Sequence, residues 1–116
     1  MHQLDTFNLE KKGSVGIVSL NRPRAFNSFT MQMFEEMELM LRQIEDDHDL
    51  LCVVLTGRGQ HFCAGIDISL LGETNSEWSL RNVYRLHTSL GRWENLNAPT
   101  IAAINGACIG GGLEFA

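Results

Sequence analysis

Two short stretches of this chain hold residues that could do chemistry together. One reads N-G-A-C-I-G-G-G-L-E-F-A (residues 105–116), the other H-F-C-A-G-I-D (residues 61–67). In the first, Gly110, Gly111 and Gly112 stand in a row and Glu114 follows two residues later. Glycine loses more conformational freedom on folding than any other residue, so a run of three calls for a reason. Lacking Cβ atoms, such residues let a ligand or a second backbone come close. If the run opens a helix, its first N–H groups point outward without intrahelical acceptors, and the positive end of the dipole stands behind them. Glu114 lies three residues after Gly111 and so shares its helix face. A carboxylate beside amide donors suits a substrate that develops negative charge on oxygen and exchanges a proton nearby.

Spacing alone leaves a plainer reading open. The glycines would also serve a tight strand-to-helix turn, with Glu114 a first-turn acid facing the dipole. Asp67 fits a helix cap as well as a site residue. His61 and His87 read as ordinary surface or boundary histidines, and Arg58 as a solvated loop residue or a phosphate contact. The dinucleotide fingerprint G-x-G-x-x-G fails, because Phe115 stands where its third glycine belongs. The phosphate-binding P-loop pattern fails for want of its lysine.

The elements that would position these residues follow from hydrophobic period. Residues 4–10 and 14–20 read as two strands joined at Lys11-Lys12-Gly13, an opening hairpin. Residues 30–47 form the clearest helix. Phe34, Met37, Leu41 and Ile44 recur on one face, and Ser28 or Thr30 can cap its start. The methionines in it read as core filler. Residues 50–56 are a continuous apolar run suited to a strand buried on both faces. Residues 67–71 suit one helical turn. Residues 77–95 suit a second long helix with Leu80, Val83, Leu86, Leu90 and Trp93 inward, ended by Asn97-Ala-Pro99. Residues 100–104 read as another buried strand, and the glycine run should open the next helix. Alternating strands and helices predict an α/β fold with right-handed crossovers. Loops at the same ends of neighbouring strands then lie side by side, where ligands commonly bind.

Bulk composition narrows the function. The 116 residues are 44% hydrophobic and 20% charged, ordinary for a globular chain. A net charge of −5 speaks against a nucleic-acid partner. Cys52, Cys63 and Cys108 are too few and too scattered for a disulfide framework or zinc spacing, so no metal is expected. No apolar run approaches the ~20 residues of a membrane helix. The first residues lack the apolar core of a signal peptide, which favours a cytoplasmic setting, an organelle remaining open.

Three motifs then fall in a recognisable order: N-R-P-R-A-F-N (residues 21–27), F-C-A-G-I-D (residues 62–67) and P-T-I-A-A-I-N-G-A-C-I-G-G-G-L-E (residues 99–114). Together they resemble the crotonase family, the enoyl-CoA hydratase/isomerase superfamily. That resemblance implies a crotonase-like spiral of repeated ββα units, with residues 1–116 the N-terminal part of a single longer domain. It implies acyl-CoA thioester substrates, no cofactor beyond the substrate's own coenzyme A, and a homo-trimer or hexamer. By position, Ala64 and Gly111 match the residues whose N–H groups form the family's oxyanion hole. Arg24, Ala25 and Phe26 match the segment along the coenzyme A, with Arg24 a phosphate contact. Ala64, Gly65, Ile66 and Asp67 border the adenine end, and Gly110 is counted among the residues that bind the acyl-CoA. Glu114 matches the first of two catalytic glutamates of the hydratases, the second lying past residue 116. The implied activity is enoyl-CoA hydration. Enoyl- or dienoyl-CoA isomerisation, or a non-catalytic crotonase-like binding piece, are the alternatives.

Overall fold

The structure is a computed structural model that describes residues 3–71 and 76–116. A four-stranded sheet forms its centre: β1 (Phe7–Lys12), β2 (Val15–Leu20), β3 (Cys52–Gly57) and β4 (Thr100–Ala103), in that spatial order. β1 and β2 are antiparallel, whereas β2–β3 and β3–β4 are parallel. The parallel pairs require crossovers, and helices supply them. α1 (Met31–Glu45) links β2 to β3, and α2 (Ile68–Leu71) and α3 (Ser76–Glu94) lie between β3 and β4. The short α4 (Gly111–Phe115) follows β4.

The hairpin is tighter than the sequence suggests. Lys12 pairs with Val15, so the loop is Gly13-Ser14, and Gly13 has φ +60°. A two-residue turn with glycine first matches the twist of paired strands. Both lysines therefore belong to β1, an edge strand, where charge is tolerated.

Thr30 caps α1, its Oγ1 accepting from Met33 N–H at 3.2 Å. The inward face of α1 carries Met33, Phe34, Met37, Met40 and Leu41 into a core shared with Val18, Leu20, Val53 and Leu55. The methionines do act as core filler. β3 alternates between buried and half-buried residues, so it is covered fully on one face alone.

That corrects the expectation of a strand buried on both faces, and two further expectations of burial fail. α3 turns a narrower stripe inward than its apolar period suggests: Asn82, Leu86, Ser89 and Trp93 are buried, while Leu80 and Val83 are exposed. That spacing keeps one line of contact with α1, flanked by Arg85–Glu38 and Arg92–Glu45 ion pairs, both at 2.6 Å. β4 is the second exception. It is the last described strand of the sheet, and Ile101 is 54% exposed, because no described element of this chain covers that side.

Candidate active site

The loops after β3 and β4 do meet, and backbone hydrogen bonds join them. Phe62 N–H and Cys63 N–H both donate to the Ala107 carbonyl, at 3.1 and 2.9 Å, and Ile109 N–H donates to the Cys63 carbonyl at 3.0 Å. Cys63 and Cys108 form an isolated parallel bridge. Asn105 fastens the far side, its Nδ2 donating to the Gly57 and Gly59 carbonyls at 2.7 and 3.0 Å.

Close approach accounts for Gly112 and Gly65. Gly112 lies against the Cys63 backbone, and a Cβ there would overlap the Cys63 carbonyl oxygen. Gly65 has φ +93°, and a Cβ on it would come within 3.0 Å of the Ile109 carbonyl and 3.5 Å of Gly111 N. The residue after Ala64 thus faces the first turn of α4.

A third segment closes beneath these loops. Pro23–Ala25 forms a short 3-10 turn, followed by Phe26 and Asn27 at φ +56° and +55°. Two successive left-handed non-glycine residues store strain unless their surroundings hold them. Asn27 supplies the hold. It is fully buried; its Nδ2 donates to the Arg58 and His61 carbonyls at 3.0 and 2.8 Å, and its Oδ1 accepts from Arg22 N–H at 2.8 Å. Phe29 N–H donates to the Gly65 carbonyl at 2.7 Å, and Asp67 N–H to the Phe29 carbonyl at 2.9 Å. Sequence reasoning missed Asn27; its signal was an Asn three residues before the Thr30 helix cap, where a polar residue can adopt the left-handed conformation.

The two expected N–H donors stand differently. Gly111 N–H has no acceptor among the described residues. Ala64 N–H donates to the Phe26 carbonyl at 3.1 Å. Glu114 stands in the first turn of α4, its side chain 57% exposed, with His87 Nε2 3.7 Å from its Oε2. His87, read from the sequence as an ordinary surface or boundary histidine, is exposed and stands beside Glu114.

Arg24 is exposed and has no acceptor among the described residues. Ala25 is half-buried, and the exposed Phe26 ring meets the His61 ring edge-on at 5.0 Å between centroids. Ile66 is exposed beside the Gly65 loop. Gly110 caps α4 with φ +55° and open space around its Cα. Asp67 is turned inward: its Oδ2 accepts from Ser28 Oγ at 2.9 Å and pairs with Arg22 at 3.4 Å. Burial pushes the Cys63 thiol up to about 11, so the thiolate nucleophile is disfavoured there. Among the described residues, no group of three His, Cys, Asp or Glu is placed to hold a metal ion.

Residues 10–116 match the sequence profile named Enoyl-CoA hydratase/isomerase. The chain belongs to that family. It is 39% identical over 115 residues to a short-chain-enoyl-CoA hydratase of Clostridium acetobutylicum, spanning 98% of this chain and 44% of that protein. It is 30% identical over 124 residues to a peroxisomal Delta(3,5)-Delta(2,4)-dienoyl-CoA isomerase of Arabidopsis thaliana, spanning 97% of this chain and 45% of that one. The crystal structure of an enoyl-CoA hydratase from Bacillus anthracis superposes with a TM-score of 0.90 at 36% identity, over 95% of this chain and 43% of that chain. The fold is therefore crotonase-like over the part spanned, and the chain covers less than half the length of these relatives.

Proposed function

We propose that the protein is an enoyl-CoA hydratase, adding water across the double bond of a 2-enoyl-CoA thioester. The observation that carries this reading is the acceptor-free Gly111 N–H with the exposed Glu114 carboxylate three residues beyond it on the same short helix. Gly111 N–H would hold the thioester carbonyl oxygen, and Ala64 N–H would join it by releasing or sharing the Phe26 carbonyl. Glu114 would take a proton from water as the water oxygen bonds to C3 of the substrate. The double-bond electrons would then move toward the thioester oxygen, and a proton delivered to C2 would complete the addition. A donor fixed in place, as Gly111 N–H is, stabilises such an oxyanion without reorganising and lowers the barrier by ~3 kcal/mol.

The coenzyme A would lie along Arg24, Ala25 and Phe26 and past Ile66, with Arg24 on a phosphate. Asp67 would serve that end by holding Ser28 and Arg22 rather than by touching the ligand. On this reading residues 1–116 are the N-terminal part of one longer domain, which supplies the second acid and assembles as a homo-trimer or hexamer. Coenzyme A enters as part of the substrate. No described helix is long and apolar enough to cross a membrane; a cytoplasmic setting stays part of the proposal.

The similarity to the plant isomerase supports a second reading. The same cradle would stabilise a dienolate while protons move along the carbon chain. Incubating the protein at its native length with a 2-enoyl-CoA and with a 3,5-dienoyl-CoA separates the two. A product heavier by one water supports hydration. A shifted diene of unchanged mass supports isomerisation instead. Acyl-CoA binding with neither reaction would leave a non-catalytic binding protein and overturn both.

A further inference from the structure

His87 lies outside every motif, yet the fold brings it to the candidate base. Leu86, its neighbour in the chain, is buried on the inward stripe of α3 and its Cδ2 would lie 3.9 Å from a Cβ on Gly111. The next residue, His87, is left facing α4, with Nε2 at 3.7 Å from Glu114 Oε2. Both side chains line one open cavity of about 470 Å³, together with Leu90, Trp93 and Glu94. The ionisable side chains on that wall are His87, Glu94 and Glu114; Tyr84 stands one turn earlier on α3 and is exposed.

Both members of the pair are more than half exposed, so their attraction is screened and adds little to stability. Its effect falls on where the carboxylate stands, because a neighbour within reach limits the arrangements an exposed side chain takes.

We propose that His87 is a positioning residue for Glu114. The imidazole orients the carboxylate on the face of α4 that carries Gly111. This rests on the reading of Glu114 as the base of hydration.

The test uses the protein at its native length. For His87→Ala, kcat with crotonyl-CoA should fall about tenfold with KM within about twofold, and His87→Gln, which keeps a polar group beside the carboxylate, should recover most of the loss. A His87→Ala variant with the parent's kcat would overturn the proposal. A second measurement needs no turnover: the imidazole nitrogen resonances of His87 near pH 5, with and without Glu114→Gln. They should move while those of His48 and His61 stay; no movement would overturn the pairing. Movement in a protein that hydrates no enoyl-CoA would support the pair and remove the hydratase reading alone.

Discussion

Gly112→Ala tests the join between the two loops. A Cβ at this position would overlap the Cys63 carbonyl oxygen and stand 2.7 Å from Cys63 Cβ and 3.0 Å from its carbonyl carbon. Two of these three atoms are backbone, held by the Ile109–Cys63 and Cys63–Ala107 hydrogen bonds. They cannot swing aside as a flexible side chain would. Relief requires α4 to withdraw by roughly 1 Å, since packed interiors have little room to give. Overpacking of this kind costs about 1–3 kcal/mol. With a urea dependence of about 2 kcal/mol per molar, the unfolding midpoint should drop by roughly 1 M. The same withdrawal carries Gly111 N–H away from the Ala64 loop, and a 1 Å misplacement costs on the order of 10²-fold in rate. The assay is urea unfolding followed by far-UV circular dichroism, beside the loss of enoyl thioester absorbance with crotonyl-CoA. A variant with the parent's midpoint and the parent's kcat would refute the idea that this glycine exists for close approach.

Asn27→Ala removes three buried hydrogen bonds and leaves alanine in the left-handed region; a loss of about 3 kcal/mol in unfolding free energy is expected, and a change under about 0.5 kcal/mol would show that the strained segment is held by something else. Acid should weaken the α1–α3 contact. The Arg85 guanidinium holds the Glu38 carboxyl below the usual carboxylate range, and Arg92 does the same for Glu45, with partial burial opposing both. Their stabilisation is therefore in place above the unfolded value of 4.5 and fades as pH falls through the lower folded values. Both pairs are partly exposed, so each contributes well under about 1 kcal/mol. The double variant Glu38→Gln/Glu45→Gln should melt nearer the parent's temperature at about pH 2.5 than at about pH 6, where it should lie slightly below it; an equal difference at both values would dismiss the pairs as the cause.

The parts most legible in the sequence were those governed by local period and local caps. α1 and its Thr30 cap, β2, β3 and the glycine-opened α4 all follow from residues close together in the chain. β1 slid because an edge strand accepts Lys11 and Lys12, which read as turn residues. Leu80, Val83 and Ile101 are apolar but exposed, since burial depends on which elements surround them and not on their own period. The site divides in the same way. The glycines and Glu114 announce themselves by spacing. Asn27 and His87 become meaningful when residues far apart in the chain are brought together, Asn27 to Arg58 and His61, His87 to Glu114. The engagement of Ala64 N–H with the Phe26 carbonyl is likewise a tertiary fact.

The central claim is that Glu114 is the base of an enoyl-CoA hydration, and Glu114→Gln tests it most directly. The side chain is more than half exposed, so folding should change by less than about 0.5 kcal/mol. With the protein at its native length and crotonyl-CoA as substrate, kcat should fall on the order of 10²- to 10⁴-fold while acyl-CoA binding stays within about twofold of the parent. A full hydration rate in the variant would contradict the account.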